Sequence, residues 1–126
     1  MISSVLGNVV CGFPSPGLEN RDEPLDLNEY LIHKPASTFF LRAYGDSMEP
    51  LIQRDDILVV DRSLIPHTGD VIIAEIDGCF TAKVLEKRDG SYVLHALNES
   101  YEDLSVTSDL VVFGVVTSIV RVLRQV

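Results

Sequence analysis

Val71-Ile72-Ile73-Ala74-Glu75-Ile76-Asp77-Gly78-Cys79-Phe80-Thr81-Ala82-Lys83-Val84-Leu85-Glu86-Lys87 is two apolar runs joined by Asp-Gly. Asp-Gly accepts the positive φ angles that a tight hairpin turn demands. Residues 71–77 and 79–87 therefore read as two strands of a hairpin. A second Asp-Gly, at Asp89 and Gly90, leads into a strand over 91–97. Upstream, residues 39–44 form an apolar run broken by Arg42, and residues 57–61 are short and β-branched. Downstream, residues 110–123 are rich in valine, with Gly114 as the expected bulge or bend. Short strands, turn signals and little helix predict a mainly β domain, barrel-like or sandwich-like.

Residues 1–25 differ from the rest. Gly7, Gly12, Pro14, Pro16, Gly17 and Pro24 interrupt both helical and strand patterns. This stretch reads as a flexible N-terminal arm, and residues 26–126 as the folded β domain. A short helix is expected over 26–33. Asp26 caps it, Glu29 stands three residues on, Leu27, Tyr30 and Leu31 share one face, and Pro35 stops it.

The chain has 126 residues and a formal net charge of -9. One domain with a real core fits that length. The acidic balance repels a phosphate backbone, so strong direct nucleic-acid binding is disfavoured. Two cysteines, Cys11 and Cys79, suggest a reduced, cytoplasmic chain rather than a disulfide scaffold. No basic-start leader and no apolar run long enough for a membrane span is visible in the sequence.

The chemistry-bearing stretch is Tyr44-Gly45-Asp46-Ser47-Met48-Glu49-Pro50. A glycine takes the chain out of a strand into a short turn closed by proline. Such a junction displays a serine hydroxyl amid free backbone N–H groups, the raw material of an oxyanion hole. Asp-Ser at a turn is also an ordinary cap, and the local reading alone leaves both open. A serine needs a base. His33, His67 and His95 stand in no triad context. Lys83 is a lone charge within an apolar strand, with Thr81 and Leu85 on its face. It reads either as a solvent-facing strand lysine or as one desolvated in a cleft, where burial lowers its pKa toward that of a general base.

The order and spacing of several motifs resemble the LexA/UmuD family of self-cleaving serine peptidases, of the S24-like type. The likeness rests on residues 44–50, then Gly69-Asp70-Val71-Ile72-Ile73-Ala74, then Phe80-Thr81-Ala82-Lys83, then Asn98-Glu99-Ser100-Tyr101. It extends from Cys11 to about Val122. It implies that Ser47 is the nucleophile and Lys83 the base. Asp46 would shape the turn, and Met48 and Pro50 would set its geometry by packing. N–H groups around Ser47 and Met48 would hold the oxyanion. Cys11-Gly12-Phe13-Pro14-Ser15-Pro16 resembles the cut site of the UmuD branch, placing the scissile bond between Cys11 and Gly12.

Further expectations come with that resemblance. A RecA–single-stranded DNA filament would stimulate cleavage in the SOS response to DNA damage. The processed homodimer would join a UmuC-type polymerase for translesion synthesis. No cofactor and no metal is called for. Only 11 residues precede the expected cut, which leaves no room for a DNA-binding domain and argues against a repressor. The rival readings are a non-enzymatic β interaction module, a peptidase acting on other proteins in the manner of signal peptidases, and a truncated LexA or phage-repressor peptidase.

Overall fold

The computed structural model describes residues 24–125. The chain divides into two compact units, Met1–His33 and Lys34–Val126. The first contains helix α1, Leu27–Leu31. The Asp26 carboxylate accepts from the Asn28 N–H at 2.9 Å and the Glu29 N–H at 3.5 Å, as an N-cap should. The helix is shorter than the 26–33 expected: Ile32 is already extended, at φ -114° and ψ 100°. Five residues form few helical bonds, too few to carry the helix on through Ile32. No residue of α1 is buried.

The second unit is a seven-stranded sheet in which every pairing is antiparallel. Its strands are β1 (Thr38–Arg42), β2 (Ile57–Asp61), β3 (Val71–Ile76), β4 (Cys79–Arg88), β5 (Ser91–His95), β6 (Leu104–Ser105) and β7 (Val111–Val120). They run in the order β1-β2-β7-β3-β4-β5-β6. Both predicted hairpins form. Asp77 and Gly78 have φ of 52° and 80°, and Asp89 and Gly90 have φ of 52° and 81°. Positive φ at both central positions gives a turn whose twist matches its strands. The two-residue β6 was not expected, because its Leu104–Ser105 carries no alternating pattern to read.

The core lies on both sides of β3. Ile73 joins Ala43, Met48, Ile52, Leu58 and Val60 in one cluster. Ile72 and Ala74 join Leu94 and Val115 in another. Burial on both faces explains why β3 reads as a continuous apolar run rather than an alternation. Strand β7 runs between β2 and β3 and carries two register shifts. One skips Phe113, beside the Gly114 where a bulge was expected; the other skips Thr117. Gly114 answers to a further need. A Cβ there would stand 2.7 Å from Val60 Cγ1 and 3.1 Å from the Asp61 carbonyl oxygen. Only a residue without a side chain lets β7 lie this close to β2.

Candidate active site

Between β1 and β2 the chain makes a long loop closed at its base. The Ala43 N–H donates to the Asp56 carbonyl at 2.9 Å, and the Asp55 N–H donates back to the Ala43 carbonyl at 3.0 Å. Within the loop, Glu49 N–H bonds the Asp46 carbonyl and Ile52 N–H bonds the Met48 carbonyl. Met48 and Ile52 are buried in the first core cluster and moor the loop to the sheet. Pro50, expected to pack, is exposed instead. Its place as an anchor is taken by Ile52, because the turn points that side chain inward four residues after Met48. Ser47 is left half-buried beside this mooring.

Strand β4 brings Lys83 to the same place. Lys83 is 6% exposed, so it is not a solvent-facing strand lysine. Its Nζ stands 3.3 Å from Ser47 Oγ, 2.6 Å from Thr81 Oγ1 and 3.2 Å from the Ala82 carbonyl oxygen. All three partners are neutral, and Lys83 has no ion pair among the described residues. Burial without a counter-charge pushes the Lys83 pKa down from lysine's ordinary value. As a neutral amine, Lys83 can donate to Thr81 and Ala82 and turn its lone pair to the Ser47 hydroxyl. Thr81 was read from the sequence only as a neighbour on the lysine's face; its spacing of two along a strand was the signal for a partner.

A segment after β5 braces the serine loop. The Tyr101 hydroxyl donates to Asp46 Oδ1 at 2.5 Å, and Asn98 Nδ2 donates to the Asp46 carbonyl at 3.0 Å. The Asn98 N–H donates to the Ser47 carbonyl at 3.0 Å. Asp46 thus shapes the turn through both its carbonyl and its side chain. Among the described residues, the N–H groups of Asp46, Ser47 and Met48 have no acceptor. A cleft of about 300 Å³ opens beside them, lined among others by Leu41, Ala43, Met48, Ile73, Phe80 and Thr81.

The histidines are elsewhere in bonding terms. His95 Nδ1 lies 2.7 Å from Asp103 Oδ1, in a surface group with Arg88 and Glu86. Among the described residues none of His33, His67 and His95 is bonded to Ser47. Cys11 and Gly12 lie outside the described residues. No described helix is long and apolar enough to cross a membrane. The described residues hold no cluster of three or more candidate metal ligands.

Comparison with known proteins adds to this geometry. Residues 4–117 match the family described as Peptidase S24-like. The chain is 44% identical over 115 residues to Protein SamA of Salmonella typhimurium, covering 90% of this chain and 81% of that protein. It is 45% identical over 116 residues to Protein ImpA of Escherichia coli, covering 90% and 79%. It is 31% identical over 119 residues to the LexA repressor of Alcanivorax borkumensis, covering 93% of this chain and 58% of that protein. These matches bear out the resemblance to the LexA/UmuD family read from the motifs.

Proposed function

We infer that this chain, which belongs to the Peptidase S24-like family, is a serine endopeptidase that cuts itself between Cys11 and Gly12. One observation carries the reading: a buried lysine without a counter-charge sits 3.3 Å from a serine hydroxyl at the edge of an apolar cleft.

The reaction is an acyl transfer. Neutral Lys83 takes the Ser47 hydroxyl proton as Oγ attacks the Cys11 carbonyl carbon. The carbonyl oxygen becomes an oxyanion and accepts from the free N–H groups at Ser47 and Met48. As the intermediate collapses, the Cys11–Gly12 C–N bond breaks and the Lys83 ammonium returns its proton to the Gly12 amine. Water, deprotonated by Lys83, then releases the acyl group from Ser47. A cleft of about 300 Å³ has room for several residues of the arm around Cys11. Tethering nucleophile and scissile bond in one chain gives a high effective concentration, so a modest base suffices.

The biological setting follows the family resemblance. Cleavage belongs to SOS mutagenesis and is stimulated in the cytoplasm by a RecA–single-stranded DNA filament. The filament acts by favouring the minor state in which the arm occupies the cleft. The processed form is a homodimer that serves a UmuC-type error-prone polymerase. The net charge of -9 fits a protein that approaches DNA through partners rather than by phosphate contacts.

The test is intact mass after incubation at mildly alkaline pH, with wild type, Ser47→Ala and Lys83→Ala side by side. A product beginning at Gly12 in wild type only is the expected result. No product in any sample, even with filament added, would make the chain a non-enzymatic binding module. Product from Ser47→Ala would remove Ser47 as the nucleophile.

A further inference from the structure

A planar trans peptide points its C=O and its N–H in opposite directions. Whatever holds the carbonyl of one residue therefore aims the N–H of the next. The Asp46 carbonyl shares a peptide plane with the Ser47 N–H, and the Ser47 carbonyl shares one with the Met48 N–H. Asn98 bonds both carbonyls, and the Glu49 N–H also bonds that of Asp46, at 3.1 Å. Asn98 Nδ2 donates to the Asp46 carbonyl at 3.0 Å, and the Asn98 N–H donates to the Ser47 carbonyl at 3.0 Å. Asn98 is itself fixed. Its Oδ1 accepts from the Ser100 N–H at 3.0 Å, which leaves its amide NH2 facing Asp46. Its carbonyl accepts from the Tyr101 N–H at 3.0 Å. The Tyr101 hydroxyl closes the brace on Asp46 Oδ1.

We propose that Asn98 is a positioning residue: by holding the carbonyls of Asp46 and Ser47 it aims the Ser47 and Met48 N–H groups away from the 98–101 segment, at the oxyanion. Tyr101 supports it by anchoring Asp46. Neither residue touches the reacting atoms. This assignment rests on the serine peptidase reading above. Free N–H groups stabilise a developing oxyanion only when they are aimed in advance, and losing one such donor costs about 100- to 1,000-fold in rate. A residue that aims two donors without being either should matter somewhat less.

The full chain carrying Asn98→Ala is compared with wild type. Cleavage rate is followed from neutral to alkaline pH, and thermal unfolding is measured on the same samples. Asn98→Ala removes the side-chain hold on the Asp46 carbonyl but keeps its N–H on the Ser47 carbonyl, so the expected result is a plateau rate lower by about tenfold. The pH midpoint, which reports Lys83, stays in place, and the thermal midpoint falls by no more than the few degrees that two lost side-chain bonds account for. Tyr101→Phe lowers the plateau less. Asp46→Asn, which keeps an acceptor for the phenol, lowers it less than Asp46→Ala. A wild-type plateau in Asn98→Ala overturns the proposal. So does a fall accompanied by a pH midpoint moved toward ordinary lysine, because that would mean a loosened Lys83 site rather than misaimed donors.

The same variants are treated with a small fluorophosphonate, and its attachment to Ser47 is read by mass. Labelling needs no arm in the cleft but does use the oxyanion donors. Wild type that labels at Ser47 without ever cleaving sinks the self-cleavage reading alone. Asn98 is then judged by its labelling rate, with the same fold-change expected. Wild type that neither cleaves nor labels overturns both readings together.

Discussion

Two cations among the described residues, Arg121 on a buried partner and Lys83 itself buried, are treated in opposite ways. Arg121, just past β7, reaches the buried Asp56 with two bonds, Nε to Oδ1 at 2.7 Å and an NH2 to Oδ2 at 2.6 Å. The Gln53 N–H adds a third bond to that carboxylate at 2.8 Å. Lys83 is buried to a similar degree as Asp56, yet among the described residues it bonds only a serine, a threonine and a carbonyl. Pairing decides the outcome. The Arg121 guanidinium holds the Asp56 carboxyl below its ordinary range, so both charges persist. Burial alone acts on Lys83 and works against its charge. The Arg121–Asp56 pair secures the base of the serine loop; the unpaired setting of Lys83 favours a neutral amine.

The comparison breaks most violently if the lysine is denied its neutral form. Lys83→Arg keeps a long basic side chain but cannot lose its proton near neutral pH. Cleavage should fall to background by intact mass. Thr81→Asp is the subtler version, since it turns the lysine site into an ion pair like that of Arg121. A carboxylate beside Lys83 favours the ammonium, so the midpoint of the rate against pH should move upward, and the rate at a pH below both midpoints should drop by about tenfold per unit of that movement. An unmoved midpoint in this variant would mean that Lys83 is not the titrating base.

Next comes the structural pair. Arg121→Ala leaves Asp56 buried without its partner, and the thermal midpoint at neutral pH should fall by several degrees. The sign with pH follows from the direction of the Asp56 shift. A carboxyl whose folded pKa is depressed contributes stability above its unfolded value, near 3.9, and loses it as pH falls through the folded value. The gap between wild type and Arg121→Ala should therefore be widest near neutrality and narrow below about pH 4. A gap constant with pH would mean that Arg121 contributes only packing. The smallest effect belongs to the surface. Arg88 bonds Glu86 and Asp103 in the open, and Arg88→Ala should barely move the thermal midpoint.

Local chemistry was legible wherever a turn or a period declared itself. The two Asp-Gly turns located β3, β4 and β5 to within one or two residues, and β2 was read to the residue. The helix and β7 came out shorter than expected, because their ends are set by residues that do something else: Ile32 runs extended toward Pro35, and Arg121 bonds Asp56. The part played by Arg121 had no signal, since nothing in a sequence says which carboxylate a distant arginine will meet. Asn98 and Tyr101 could be quoted as a motif without a role, because their work is done on a loop 52 and 55 residues away.

For Ser47 and Lys83 the division is the same. Residue order alone supplied the candidates, a serine at a strand-to-turn junction and a lone lysine in an apolar strand. They stand 36 residues apart in the chain, and their 3.3 Å approach and the burial that works against the lysine's charge exist only in the fold. Turns and strand periods are written in neighbouring residues and so survive in the sequence. A pKa is set by every group and every water around one atom, and only the packed chain chooses those.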